Sequence, residues 1–235
     1  MGATFKILLV IVLLTGQTYA EENVDPRQHQ AFWLWSGVKA SNALQNAQTV
    51  YLHQGEVLER SGEAVFVRLG LPVSRLTFPS IWLTVRFTTL NVPEDIQARI
   101  IRLMQRWDAA GNTVVGLQVD FDAATYHLAD YACFLRQLRQ QLPQRFALGV
   151  TGLLDWAKNG DIATLNALPI DELVVQSYQG RQTVKNYQDY LPDLMRLNSP
   201  FKLGLVQAGN WDSESEALLE KSPWYRGTVV FMLNL

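Results

Sequence analysis

"SIWLTVRFTTLNVPEDIQARIIRLMQRWDAAGNTVVGLQVDFD", residues 80–122, decides the fold. Ser80 to Leu90 is rich in β-branched and aromatic side chains, the composition of a strand. Pro93 then opens a helix. Proline suits the first turn, where its missing N–H is not needed, and Glu94 and Asp95 suit the positive end. Ile96, Ile100, Leu103, Met104 and Trp107 recur at three- and four-residue steps and form one apolar face. Gly111 supplies the stop, and Val114 begins a second strand. Strand, helix and strand in close succession make a crossover unit, which pairs its strands in parallel.

The same alternation extends outward. Toward the N-terminus, "AFWLWSG" (31–37) reads as a first strand, "ASNALQNAQ" (40–48) as a short helical stretch and "TVYLHQGEVL" (49–58) as a second strand. "EAVFVRLGL" (63–71) follows Ser61-Gly62 and reads as an extra strand or hairpin where a helix is expected. Toward the C-terminus comes helix "YHLADYACFLRQLRQQLP" (126–143), then strand "RFALGVTGLL" (145–154) and short helix "GDIATLNALP" (160–169), with Asp161 as N-cap. Strand "IDELVVQSYQG" (170–180) leads to "NYQDYLPDLMRLN" (186–198), a helical stretch that Pro192 kinks or splits. Strand "FKLGLVQAGNW" (201–211), helix "DSESEALLEKSPWY" (212–225) and strand "GTVVFMLNL" (227–235) complete the chain.

Eight main strands separated mostly by helices predict an α/β fold: a short (β/α)8 barrel of TIM type, with trimmed helices and an extra hairpin between strands 2 and 3. The alternative is an open doubly wound sheet, but "WSGVKAS" after the first strand has one glycine and no phosphate-binding loop.

The first 20 residues read as a secretory signal peptide: Lys6, an apolar run from Ile7 to Leu14, then small residues to Ala20, with cleavage expected after Ala20. That run is too short to span a bilayer, which takes about 20 residues, so no stable membrane insertion is expected after cleavage. Residues 21–30 read as a polar lead-in and 31–235 as one barrel domain, exported to the periplasm or beyond. Of the 235 residues, 48% are hydrophobic, enough for a core, and the formal charge of −2 gives no reason to expect nucleic acid. Cys133, the single cysteine, permits no internal disulfide and sits in an apolar helical pattern, where a buried, inert thiol is expected. A monomer without cofactors is expected.

"GLQVDFD" (116–122) carries the chemistry. Side chains alternate across a strand, so Leu117, Val119 and Phe121 share one face and Gln118, Asp120 and Asp122 the other. The apolar face suits the outer helices. The polar face then looks into the barrel, with Asp122 nearest the C-terminal mouth, where barrel enzymes build their sites. A buried polar network or a loop cap is the plainer reading of the same residues.

These residues resemble a family. "VGLQVDFD" is similar to the fourth-strand DxxDxDxE motif of family 18 glycoside hydrolases, with Val115 on its first Asp, Gln118 on the second, Asp120 on the third and Asp122 on the Glu. "VVQSYQG" is similar to that family's MxYD, through Gln176, Tyr178 and Gln179. The full chain, with "FWLWSGVKA" near its start, resembles DUF3142, a family grouped with TIM-barrel glycosidases. The resemblance implies a saccharide substrate, Asp122 as acid and Asp120 as its electrostatic partner or base. Asp122 is one methylene shorter than the family's Glu. Gln118 carries no charge where the family uses an Asp to steady the substrate's acetamido group.

Further residues extend the candidate site. Tyr178 and Gln176 share an inward face, and each also suits barrel filling. Arg86 suits either a sugar acid or an ion pair with Asp120. Trp35, Asp155 with Trp156, and Asn210 with Trp211 stand near strand ends, where indole rings stack on sugar faces and polar groups bind hydroxyls; each Trp alone also suits packing. Glu56 is the best further carboxylate for the mouth, beside His53, though a solvated turn glutamate reads as well. Two alternatives stay open: a non-catalytic carbohydrate-binding barrel, and a metal-dependent hydrolase using Asp120, Asp122 and His53. No metal-binding motif supports the latter.

Overall fold

The computed structural model describes residues 22–39, 41–122 and 127–234. The expected signal segment, its cleavage point after Ala20, and the expected start of the second long helix at Tyr126 lie outside the described residues.

Eight parallel strands close into a barrel: β1 (Ala31–Leu34), β2 (Thr49–Arg60), β3 (Ser80–Phe87), β4 (Val114–Asp120), β5 (Ala147–Leu153), β6 (Glu172–Gln176), β7 (Phe201–Val206) and β8 (Tyr225–Phe231). Each pairs with the next, and β1 closes the ring by pairing with β8 and β2. The expected TIM-type barrel is therefore the fold, and the open sheet is not. The hairpin strand (Glu63–Arg68) runs antiparallel to β2, Gly55 opposite Arg68 and Arg60 opposite Glu63. It stands in the crossover from β2 to β3, where a helix is usual.

The helices are trimmed as expected. Only α1 (Glu94–Ala109) and α2 (Leu128–Gln141) exceed seven residues among the described helices. Between β5 and β6 lie α3 (Asp155–Asn159) and α4 (Ile162–Asn166), with Asp161 capping the amide of Ala163. The Pro192 stretch is split: a 3-10 turn at Tyr187–Tyr190 passes into α5 (Leu191–Leu194), whose first turn holds the proline. The last, α6 (Ser213–Leu219), is capped by Asp212.

Strand pleating separates two cores. Leu117, Val119, Leu83, Val85 and Val150 face outward against α1 and α2. Trp33, Tyr51, Trp82 and Val174 fill the barrel. Their rings fit because glycines face them. A Cβ on Gly204 would lie 2.6 Å from Trp33, and one on Gly149 2.9 Å from Trp82. At the start of the strands the Tyr51 hydroxyl donates to Glu172 (2.5 Å), and Lys202 Nζ lies 2.9 Å from the same carboxylate. A register irregularity at Val115, between Val114 opposite Ile81 and Gly116 opposite Trp82, turns Val115 toward the inner cluster.

Cys133 is exposed, against expectation. The buried face of α2 carries Leu128, Tyr131, Ala132, Leu135 and Leu138; position 133 falls beside this stripe and meets solvent.

Candidate active site

Asp120 ends β4 with its side chain inside the barrel, 6% exposed. Among the described residues both its hydrogen bonds fall on Oδ1, from Thr151 Oγ1 (2.7 Å) and Gln176 Nε2 (3.4 Å). Burial pushes this carboxyl up to about 6, and the neighbouring charge of Asp122 adds to the rise. The Thr151 bond, Arg86 and Gln176 pull the other way without cancelling it.

Asp122, two residues on, has left the strand. Its side chain is 55% exposed and lies 3.4 Å from Arg86 Nη2, itself 45% exposed. Arg86 opposes Asp120 in the β3–β4 register, yet its described ion pair is with Asp122. Of the two readings of Arg86, the described ion pair thus falls on the outer carboxylate, while its charge still lowers the Asp120 carboxyl, which accepts from Thr151.

The two aspartates line one cavity of about 580 Å³ at the C-terminal end of the strands. Asp120 enters this pocket from the strand and Asp122 from just beyond the strand's end. Trp33 forms its floor. The indole spans the barrel from β1, over Gly204, and donates from Nε1 to Gln118 Oε1 (2.6 Å). The Tyr178 ring packs on Phe231 (5.4 Å between centroids) and edge-on to Trp33 (6.4 Å). Burial, then the charges of Asp120 and Asp122, holds the Tyr178 hydroxyl well above the usual range, so it stays protonated as a donor. Trp35 lines the cavity and stacks on His53 at 4.0 Å.

Most of the residues singled out in the sequence meet here: Asp120, Asp122, Arg86, Gln176, Tyr178, Trp35 and Asp155. Asp155, at the start of α3, is a third carboxyl of the cavity and is raised by burial. Others do not reach it. Gln118 is fully buried beneath, its Oε1 accepting from both Trp33 and Thr84 Oγ1 (2.9 Å), while its Nε2 has no described partner. Trp156 is buried against Tyr131 under the barrel wall. Asn210 and Trp211 leave the mouth because the chain reverses at Ala208 (φ 60°) and pairs antiparallel with Asn23 and Glu22. Trp211 stacks on Tyr187 and lines a separate cavity with Lys202 and Thr228, at the strand starts.

His53 is buried, accepts or donates at Nδ1 with Ser36 Oγ (2.6 Å) and is pushed down to about 4 by burial. Glu56, 4.0 Å from its other nitrogen, does not line the cavity; Asp155 takes the place expected for it. Thr151, Trp33 and Phe231 were missed. Alternation marks Thr151 and Trp33 as inward, since each lies two residues from another inward position, but nothing in their residue types marks them as functional. Among the described residues, no group of three or more His, Cys, Asp or Glu is arranged to hold a metal ion.

Fold and site together define a TIM-type barrel with an acidic, aromatic-walled cavity at its C-terminal mouth. Residues 75–196, just over half the chain, match the model of DUF3142, a domain of unknown function, and the chain belongs to that family. No curated protein matches it. Among solved structures it is similar to the chitinase domain of the spore coat protein CotE from Clostridium difficile, at 12% identity and TM-score 0.48, covering 89% of this chain and 74% of that one. The spore cortex-lytic enzyme SleL of Bacillus cereus shares 13% identity at TM-score 0.39, covering 75% and 50% respectively. The tryptophan synthase A-subunit of Pyrococcus furiosus shares 17% at TM-score 0.36, covering 65% and 56%. At these values the likeness assigns no activity.

Proposed function

We propose that the mouth binds a saccharide and cleaves a glycosidic bond, with Asp120 as the acid. The observation that carries this reading is the pairing of unequal carboxyls in one cavity: Asp120 buried and raised to about 6, Asp122 open to solvent beside Arg86. Glycoside hydrolysis needs such a division, one carboxyl to give a proton and one to carry negative charge. Asp120 gives its proton to the leaving oxygen as the C–O bond breaks. The carboxylate of Asp122 faces the developing positive charge, as base or nucleophile. These roles reverse those implied by the family motif, because burial favours the proton on the inner residue. Gln118 has a different part: it fixes the Trp33 floor rather than touching substrate. Trp35, Tyr178 and Phe231 offer apolar faces for sugar rings above the buried Trp33 floor.

The test is turnover on a panel of oligosaccharides by the full-length protein and by Asp120→Asn. The reading expects kcat to fall by about a hundredfold or more in the variant, with binding retained, the usual contribution of a positioned acid. Chelator should leave turnover unchanged. Saccharide binding with no turnover on any substrate would instead make the protein a binding barrel. We further propose that it is exported and that the mature chain begins at Glu21; N-terminal sequencing of the secreted product tests this, and an intact Met1 would refute it.

A further inference from the structure

Four arginines converge on a groove in the outer wall, between the hairpin strand and α1. Arg68 comes from the hairpin strand; Arg99, Arg102 and Arg106 come from α1; Phe66 and Leu103 lie between them. The groove has a volume of about 550 Å³, and all four arginines are exposed. None forms a described ion pair: the described arginine pairs use Arg27, Arg86, Arg139, Arg145 and Arg196. Asp108, the acid next on α1, is taken by Arg145 at 2.9 Å. What holds the cluster is weak: Arg68 donates to Gln54 Oε1 at 3.4 Å, and Arg99 lies 5.9 Å from the Phe66 ring centre.

Such a cluster is unusual in this chain, which has 22 acidic residues against 20 basic ones. A plain solvated helix face mixes both signs along its length. Here the guanidinium groups repel one another, and a bound anion relieves that repulsion. From Arg99 to Arg106 is about 10 Å along a helix, at about 1.5 Å per residue. That length suits a row of anionic groups better than one phosphate. Guanidinium forks match carboxylates in shape as well as charge.

We propose that this groove binds an acidic polysaccharide, whose sugar units carry carboxylates, and anchors it on the barrel away from the mouth. The choice of a saccharide over other polyanions rests on the reading of the mouth given above. Exposed arginines can be replaced without unfolding the protein, so the test is direct. Binding of a galacturonate oligomer of about ten units is titrated into the wild-type protein and into Arg99→Gln/Arg102→Gln/Arg106→Gln. A neutral oligomer of equal length, a DNA duplex and phosphatidylglycerol vesicles serve as rivals. The acidic oligomer should bind the wild type, weaken as salt rises, and lose about tenfold or more in affinity in the triple variant. Equal affinity for both proteins, or no binding, overturns the proposal. So does tighter arginine-dependent binding of the duplex or vesicles. Turnover of neutral sugars separates the two readings: turnover without arginine-dependent binding removes the groove alone, whereas arginine-dependent binding without turnover of any sugar removes only the cleavage reading.

Discussion

Asp120 joins the site's chemistry to the stability of the fold. Its carboxyl has a pKa of about 6 in the folded chain against an ordinary value of 3.8. Between these values the unfolded state has lost more protons than the folded one, so stability falls as pH rises from about 4 to about 6. Above about 6 the loss is complete, and it amounts to about 3 kcal/mol. Asp120→Asn has no such titration. Its stability relative to wild type should therefore improve by about 2 to 3 kcal/mol between pH 4 and pH 8, read from urea unfolding at both. Unchanged relative stability across that range would contradict the burial argument. In the proposed role of acid Asp120 must also be protonated, so kcat/KM should fall as pH rises through about 6. Gln118 presents a separate case. Its Oε1 is the shared acceptor of Trp33 and Thr84, so Gln118→Leu leaves two buried donors unpaired. Such a change costs about 2 to 4 kcal/mol, and urea unfolding at pH 7 checks it.

Among the elements, β4 shows why part of the site could be read from sequence. Its period-two alternation sets Leu117 and Val119 against the helices and Gln118 and Asp120 inside, a consequence of pleating alone. Depth is another matter. Alternation gives the wall a residue faces, not how far above the floor it stands, and so it put Gln118 in the mouth when Trp33 covers it. The loss of Asn210 and Trp211 has a different origin. The strand pattern runs to Trp211, but the reversal at Ala208 depends on pairing with Glu22 and Asn23, residues nearly two hundred positions earlier. A local pattern carries no trace of such a partner. The barrel glycines were also silent in the sequence. Gly204 lies against Trp33, and a Cβ there would meet its ring at 2.6 Å. Gly204→Ala should push the indole off the cavity floor and cost about 1 to 3 kcal/mol. Near-UV circular dichroism would report the displaced ring, and unchanged spectra would refute its role as floor.

For the molecule as a whole, the barrel was legible because strand and helix periods alternate over nearly the full chain, and a glycine-poor turn after the first strand favoured closure over an open doubly wound sheet. The extra hairpin was legible from Ser61-Gly62 between two β-rich runs; Ser61 and Gly62 both adopt positive φ there. Cys133 was misjudged because an apolar neighbourhood in sequence covers more of a helix than the stripe it buries. The mouth and the outer wall differ in charge. The mouth concentrates carboxyls and aromatic rings, while the β2–β3 crossover and α1 concentrate arginines. The proposed chemistry of the mouth depends on the inner carboxyl keeping its proton up to about pH 6, well above the ordinary aspartate range. Carbon-13 NMR of aspartate-labelled protein, compared with Asp120→Asn, measures this directly. One aspartate signal should titrate near pH 6 and be missing from the variant; an Asp120 signal titrating near 4 would contradict the account.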